Sequence, residues 1–178
     1  MFKAIPKYTA IKGCTIYPLD ANGHAADTPA AMDIDITLPE QSHPTTDVQM
    51  MGTISIPDPT RLDDLTVTVN INADSPEAQV LVGDGGVVGW QIQWVDEVID
   101  QSGNMHLVGW TVTAKGYIGG VPEANKNQGS DNSGDLTMHA IYLRKANSDG
   151  VVPYEIDRVA GKLIRNGKDL REQINRLL

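Results

Sequence analysis

Leu65-Thr66-Val67-Thr68-Val69-Asn70-Ile71 alternates apolar and polar side chains over its whole length. A period of two belongs to an extended chain whose successive side chains point to opposite faces, so this stretch reads as a strand with one face in a core and the other in water. The same pattern recurs on both sides of it. Asp33-Ile34-Asp35-Ile36-Thr37-Leu38 sets Ile34, Ile36 and Leu38 against Asp33, Asp35 and Thr37, and Thr53 to Ile56 repeats the alternation. Pro57-Asp58-Pro59 must be a turn or loop, because neither proline can donate to a ladder. Trp90-Gln91-Ile92-Gln93-Trp94 places both tryptophans and Ile92 on one face. Its expected partner is Leu107 to Ile118, where Val108, Trp110, Val112 and Ala114 share a face, with Gln101-Ser102-Gly103-Asn104 turning an antiparallel hairpin. Leu136 to Lys145 reads as a strand with Met138, Ala140 and Tyr142 on one face. Val151 to Val159 reads as another, and Lys162-Leu163-Ile164-Arg165 as the last before an Asn166-Gly167 turn.

Two segments depart from this period. Asp74-Ser75-Pro76-Glu77 offers an N-cap followed by a proline in the first turn, and Gly83 can close the segment in a left-handed conformation, which predicts a short helix over 76–82. Near the end, Asp169 and Glu172 have capping-box spacing, and Leu170, Ile174, Leu177 and Leu178 form one apolar stripe of a terminal helix. That stripe must be buried, either on its own domain or on a neighbouring copy. Between 119 and 134 the chain is rich in Gly, Asn and Ser, which predicts a long polar loop of the kind that is functional or mobile. The fold expected is mainly β, with two antiparallel sheets forming a sandwich or small barrel, a short flanking helix and a C-terminal helix. One domain is expected over 1–178, with an N-terminal arm or loop at about 1–32 in which Pro18 to Pro29 is a loop excursion.

Composition is that of an ordinary folded domain, with 40% hydrophobic and 21% charged residues. A single Phe and three Trp leave the core to Val, Ile, Leu, Met and Ala, and 17 Gly with 10 Pro imply many turns. The net charge of −9 argues against a general nucleic-acid coat, which needs a cationic surface. Its distribution is uneven. Residues 20–100 carry fifteen acids against one base, Arg61, whereas 158–178 carry six bases against Asp169 and Glu172, which reads either as scattered solvated charge or as an acidic face and a basic face that can meet head to tail. The lone Cys14 excludes an internal disulfide and reads as a small hydrophobe. Lys7 and Lys12 interrupt any apolar run at the N-terminus, so no secretory signal is expected, and no stretch approaches the ~20 apolar residues of a membrane helix.

Residues that could carry chemistry do not assemble into a recognisable motif. His24, His43, His106 and His139 lack metal-ligand spacing, and Cys14 has no second cysteine. Gly83-Asp84-Gly85-Gly86-Val87-Val88-Gly89 runs into a strand rather than a helix N-terminus, which makes it a turn and not a phosphate cradle. Asp131-Asn132-Ser133-Gly134-Asp135 lacks the full calcium loop, and Asp63-Asp64 and Asp96-Glu97 read as solvated acid pairs. No catalytic, metal-binding or cofactor-binding residue is assigned, and an enzyme is not expected.

Three stretches together resemble the major tail tube protein of contractile-tailed phages of the P2 type, a family that includes tubes of phage-tail-like bacteriocins. The first is Ile36-Thr37-Leu38-Pro39 followed by Met50-Met51-Gly52 and Ile56-Pro57-Asp58. The second is Gln128-Gly129 running into Leu136 to Arg144. The third, most specific, is Tyr154-Glu155-Ile156-Asp157 followed by Asn166-Gly167-Lys168-Asp169 and a short terminal helix. The resemblance implies a subunit that joins its own copies edge to edge in six-fold rings, stacked as a hollow tube inside a sheath. The partners it implies are the sheath protein, tape measure, initiator or baseplate and terminator proteins, and DNA passing without specific binding. It implies a location in a virion or bacteriocin tail. Assembly contacts are expected at Asn125, Gln128, Gly129, Ser130 and Asp131 of the polar loop and at Leu170, Ile174 and Leu177 of the terminal helix. The rival expectation is a β-sandwich module recognising carbohydrate or protein, with Trp90, Trp94 and Trp110 as a stacking platform.

Overall fold

A computed structural model describes residues 7–49, 51–72, 74–100, 102–123 and 132–177. Among these residues, twelve strands and two short helices follow one another in the order β1 (Lys7–Pro18), β2 (Ala31–Met32), β3 (Ile36–Thr37), β4 (Thr45–Gln49), β5 (Thr53–Pro57), β6 (Thr66–Asn72), α1 (Pro76–Val82), β7 (Val88–Ile99), β8 (Met105–Gly120), β9 (Ser133–Asn147), β10 (Tyr154–Asp157), β11 (Lys162–Arg165), β12 (Lys168–Asp169) and α2 (Glu172–Asn175). All pairings are antiparallel. Ten strands form one large sheet in the order β12-β11-β10-β9-β8-β7-β1-β2, with β6 attached along β9 and β3 paired to β6; β4 and β5 form a second, two-stranded sheet. No barrel closes. No helix among the described residues is long and apolar enough to cross a membrane.

The alternation read from the sequence places the core. Leu65, Val67, Val69 and Ile71 are buried, as are Trp90, Ile92 and Trp94 opposite Val112 and Ala114. These side chains join Ile16, Leu136, Met138, Ala140, Leu143, Ile156 and Leu163 in one cluster, so the large sheet curves over its own face to enclose a single interior. Helix α1 caps it with Ala78 and Leu81. Ser75, rather than Asp74, is the N-cap: its Oγ accepts from the Ala78 N–H at 3.0 Å, and Gly83 at φ +67° ends the helix. The Trp90 indole N–H donates to the Leu81 carbonyl at 3.0 Å and ties this helix to β7.

Strand β9 departs from its expected phase. Lys115 faces Tyr142 and Gly116 faces Ala140, so Ile141 is an extra residue opposite a continuous β8. Beyond it the core position is Leu143, and Tyr142 does not share the face of Met138 and Ala140. The bulge also divides the other edge of β9. β6 pairs with 133–139 and β10 with 142–145, so one strand serves two neighbours in succession.

Other expectations need smaller corrections. Only Ile36–Thr37 of 33–38 is a strand, although Ile34, Ile36 and Leu38 are indeed half-buried and Asp33, Asp35 and Thr37 exposed. The strand expected over 151–159 is confined to Tyr154–Asp157. Asn166 and Gly167 both have positive φ, 49° and 78°, as a two-residue I′ hairpin turn requires. Within the first 32 residues, Lys7–Pro18 runs beside β7 with two register shifts, and 19–30 forms the connection to β2. The terminal capping box does not form. The Asp169 carboxylate accepts from the Arg171 N–H at 2.9 Å, while Glu172 accepts from Arg176 at 2.7 Å, and α2 begins without a side-chain cap.

Gly116 is the residue the bulge demands, since a Cβ there would lie 2.1 Å from the His139 carbonyl oxygen and 2.8 Å from the Ala140 Cα. Backbone atoms cannot swing aside as a side chain can. Gly116→Ala is expected to destabilise by about 1–3 kcal/mol, the usual cost of overpacking, measured by urea denaturation; a parental midpoint would show that the bulge is not tight. A second prediction concerns Tyr154, whose burial pushes its phenol up to about 12. A raised folded value stabilises the fold fully below the unfolded value of about 10 and loses that contribution as pH rises toward the folded one. Phenolate absorbance should therefore show a late tyrosine near that value that Tyr154→Phe removes, while Tyr142, also raised by burial, remains.

Candidate functional site

Among the described residues no group of three His, Cys, Asp or Glu side chains could hold a metal ion. The unusual features are apolar surfaces left open. The β4–β5 hairpin is the clearest. Its register pairs Thr46 with Ile56 and Val48 with Ile54, putting Val48, Ile54 and Ile56 on one face, while Ser55 donates to Asp47 at 2.5 Å and Gln49 to Thr53 at 3.1 Å on the other. The apolar face is open, with Ile54 50% and Ile56 48% exposed, and Met51 at the tip lies wholly in solvent. An isolated two-stranded sheet is marginal in water. This one is anchored at its base. Asp58 N–H donates to the Pro44 carbonyl at 2.9 Å, Ser42 donates to Asp63 at 2.9 Å, and Arg165 on β11 donates to Gln41 at 2.7 Å. The His43 Nδ1–H donates to the Arg61 carbonyl at 2.6 Å, which leaves Nε2 to accept from Arg165 at 3.4 Å.

The terminal segment divides the stripe seen in the sequence. Leu170 packs against the core and its N–H donates to Leu163 at 2.8 Å, Ile174 lines a cleft with Arg158, Lys162 and Arg171, and Leu177 is 88% exposed. Of the expected contact residues, Asn125, Gln128, Gly129, Ser130 and Asp131 lie outside the described residues, as does Leu178. The sequence reading did not single out the β4–β5 face. Its signal was the alternation on both sides of Gly52, but alternation does not say whether a partner strand or water lies opposite.

A stacking platform for sugars is not what the tryptophans form. Trp90 is fully buried, Trp94 nearly so, and both face the interior. Trp94 and Trp110 stack with centroids 6.4 Å apart, and the Lys145 ammonium lies over both rings at 5.1 and 4.4 Å. Burial lowers the Lys145 pKa, with Asp96 opposing that shift. On the surface, Asp64 accepts from His139 at 2.5 Å, and that hydrogen bond holds the carboxyl below its ordinary value.

A curved antiparallel sheet that leaves apolar side chains open on an anchored hairpin and at its terminal segment defines a subunit built to associate. The chain belongs to the family of the phage tail tube protein FII, whose family model matches residues 21–178. No curated protein sequence matches the chain. The protein is therefore a structural subunit of a phage tail tube, located in the virion tail, where it assembles with its own copies and with other tail proteins.

If the open hairpin face is an assembly contact, charge on it should be tolerated by the fold and not by the assembly. Ile54→Asp should melt within a few degrees of the parent, because the residue is half exposed already. It should leave the protein as free subunits in sedimentation. Parental assembly by this variant would remove the hairpin from the interface.

Proposed function

We propose that the subunit forms six-membered rings that stack into the inner tube of a contractile phage tail or a phage-tail-like bacteriocin, driven through a bacterial envelope when the surrounding sheath contracts. The observation that carries ring formation is the outer edge of β1. Among the described strands, β2 covers only Thr15 and Ile16 of a strand that runs from Lys7 to Pro18. The Cys14, Ile16 and Pro18 carbonyls accept from Ile34, Ala30 and Ala26, so the part of the edge without a described partner strand is 7–13, and natural proteins cover such edges or use them for assembly. A contact between two different edges of the same chain is heterologous, and it closes into a ring when the rotation allows.

Separation of charge between the acidic 20–100 region and the basic 158–178 segment supports head-to-tail joining. In the same reading an acidic lumen repels DNA phosphates and lets DNA pass without specific binding. The polar loop around Asn125 to Asp131 contributes contacts between stacked rings, the sheath protein covers the outer wall, the tape measure protein occupies the lumen during assembly, and initiator or baseplate and terminator proteins meet the two ends. Negative-stain microscopy of concentrated protein tests the proposal. Rings or stacked tubes are the expected result. A strictly monomeric sedimentation profile at high concentration, also with an added tail initiator complex, would overturn it.

A further inference from the structure

An apolar groove of about 560 Å³ opens beside the outer part of β1, lined by Ile11, Cys14, Ile34, Ile36, Leu38 and Trp94. This is within the range of about 300–1,000 Å³ usual for sites that seat a ligand. Two carboxylates, Asp33 and Asp35, also line it and are exposed. Asp33 has φ +52°, a left-handed conformation uncommon outside glycine, which reverses the chain after β2 and sets Ile34 and Ile36 along the groove wall. The acids act on the groove itself. Burial, then Asp35, then Asp33 push the Cys14 thiol above its ordinary pKa.

The segment after β12 has complementary chemistry. It carries Arg171 and Arg176, the latter paired with Glu172 at 2.7 Å in the free subunit, beside Ile174 and Leu177, and it follows Arg158, Lys162, Arg165 and Lys168. Leu177, 88% exposed, is seated in no groove of its own chain. The segment follows β12 at one end of the strand order, whereas one wall of the groove is β1 near the other end and its second wall, 34–38, is carried by β3, which pairs with β6. A cationic apolar segment at one end and an acid-rimmed apolar groove at the other are what a head-to-tail contact between copies requires.

We propose that the C-terminal segment of one subunit, with Leu177 as its apolar anchor, docks in the groove between Cys14, Ile34 and Trp94 of the next subunit. The inference rests on the tube reading and assigns the surfaces by which neighbours hold one another. Arg171 and Arg176 then approach Asp33 and Asp35, so the contact neutralises charge as it buries apolar surface. The segment is short, and its ordering cost is met by a pre-formed groove.

Cys14 is the only cysteine in the chain, which makes a direct test possible. Tubes of Leu177→Cys are oxidised with copper–phenanthroline and separated on a denaturing gel without reductant. A ladder from dimer upward is expected, and the same variant carrying Cys14→Ser should stay monomeric. Tubes that form normally but give no ladder, or a ladder that survives Cys14→Ser, overturn the proposal. If the parent protein forms no tubes under any condition, the tube reading fails instead. Should Leu177→Cys not assemble, alkylation of Cys14 by a maleimide in parent tubes decides. Reaction about tenfold slower than in free subunits is expected, since access governs thiol reactivity, and equal rates overturn the proposal.

Discussion

One extra residue, Ile141, controls how this chain closes. In a strand every insertion of a single residue sends all later side chains to the opposite face. Before the bulge, β9 offers Leu136, Met138 and Ala140 to the core; after it, Leu143 takes that role. Lys145 is in phase with Leu143 and therefore lands over Trp94 and Trp110. Without the shift, Tyr142 and Arg144 would point inward, and the lysine would face out. The same residue marks where β6 leaves the edge of β9 and β10 takes over, and its carbonyl accepts from the Arg158 N–H at 2.9 Å just beyond β10. The curvature of the sheet, the position of the aromatic pair and the attachment of the C-terminal strands all depend on that step.

Glycine permits the step. Gly116 lies against the backbone of His139 and Ala140, and three residues on, a Cβ at Gly119 would meet the His139 ring at 2.4 Å. His139 is thereby laid across β8 and reaches Asp64. The exposed bond contributes little to stability, because solvent screens such pairs. Its role is to hold the ring above Gly119.

Much of the architecture is legible in the sequence because burial follows a period of two wherever a strand has one wet face. Leu65 to Ile71 and Trp90 to Trp94 are read correctly down to which side chains enter the core, and the turns at 102–104 and 166–167 announce themselves through Gly and Asn. The bulge is silent. Ile141 and Tyr142 both suit a strand, and only the partner β8 decides which one is skipped. The terminal capping box failed for a related reason: Asp169 pairs in β12 with Ile164, so its carboxylate serves the turn and not the helix. Of the open hairpin only β5 was read as a strand, and not as surface, since alternation records that one face is apolar and not what covers it. Helix α1 was legible because its cap, proline and closing glycine act locally.

The hairpin of β4 and β5 has a consequence for how temperature acts on the protein. An apolar face that stays in water in the free subunit and leaves it on association carries a negative heat-capacity change into the association itself. Near room temperature that driving force is almost wholly entropic, so it weakens on cooling. Contacts made through Val48, Ile54 and Ile56 would loosen in the cold while the interior of each subunit, tied by long ladders between β7, β8 and β9, stays folded. If association buries that face, two kinds of cohesion separate: a ladder-bonded interior that keeps its shape, and a hairpin contact whose grip varies with the thermal state of the surrounding water.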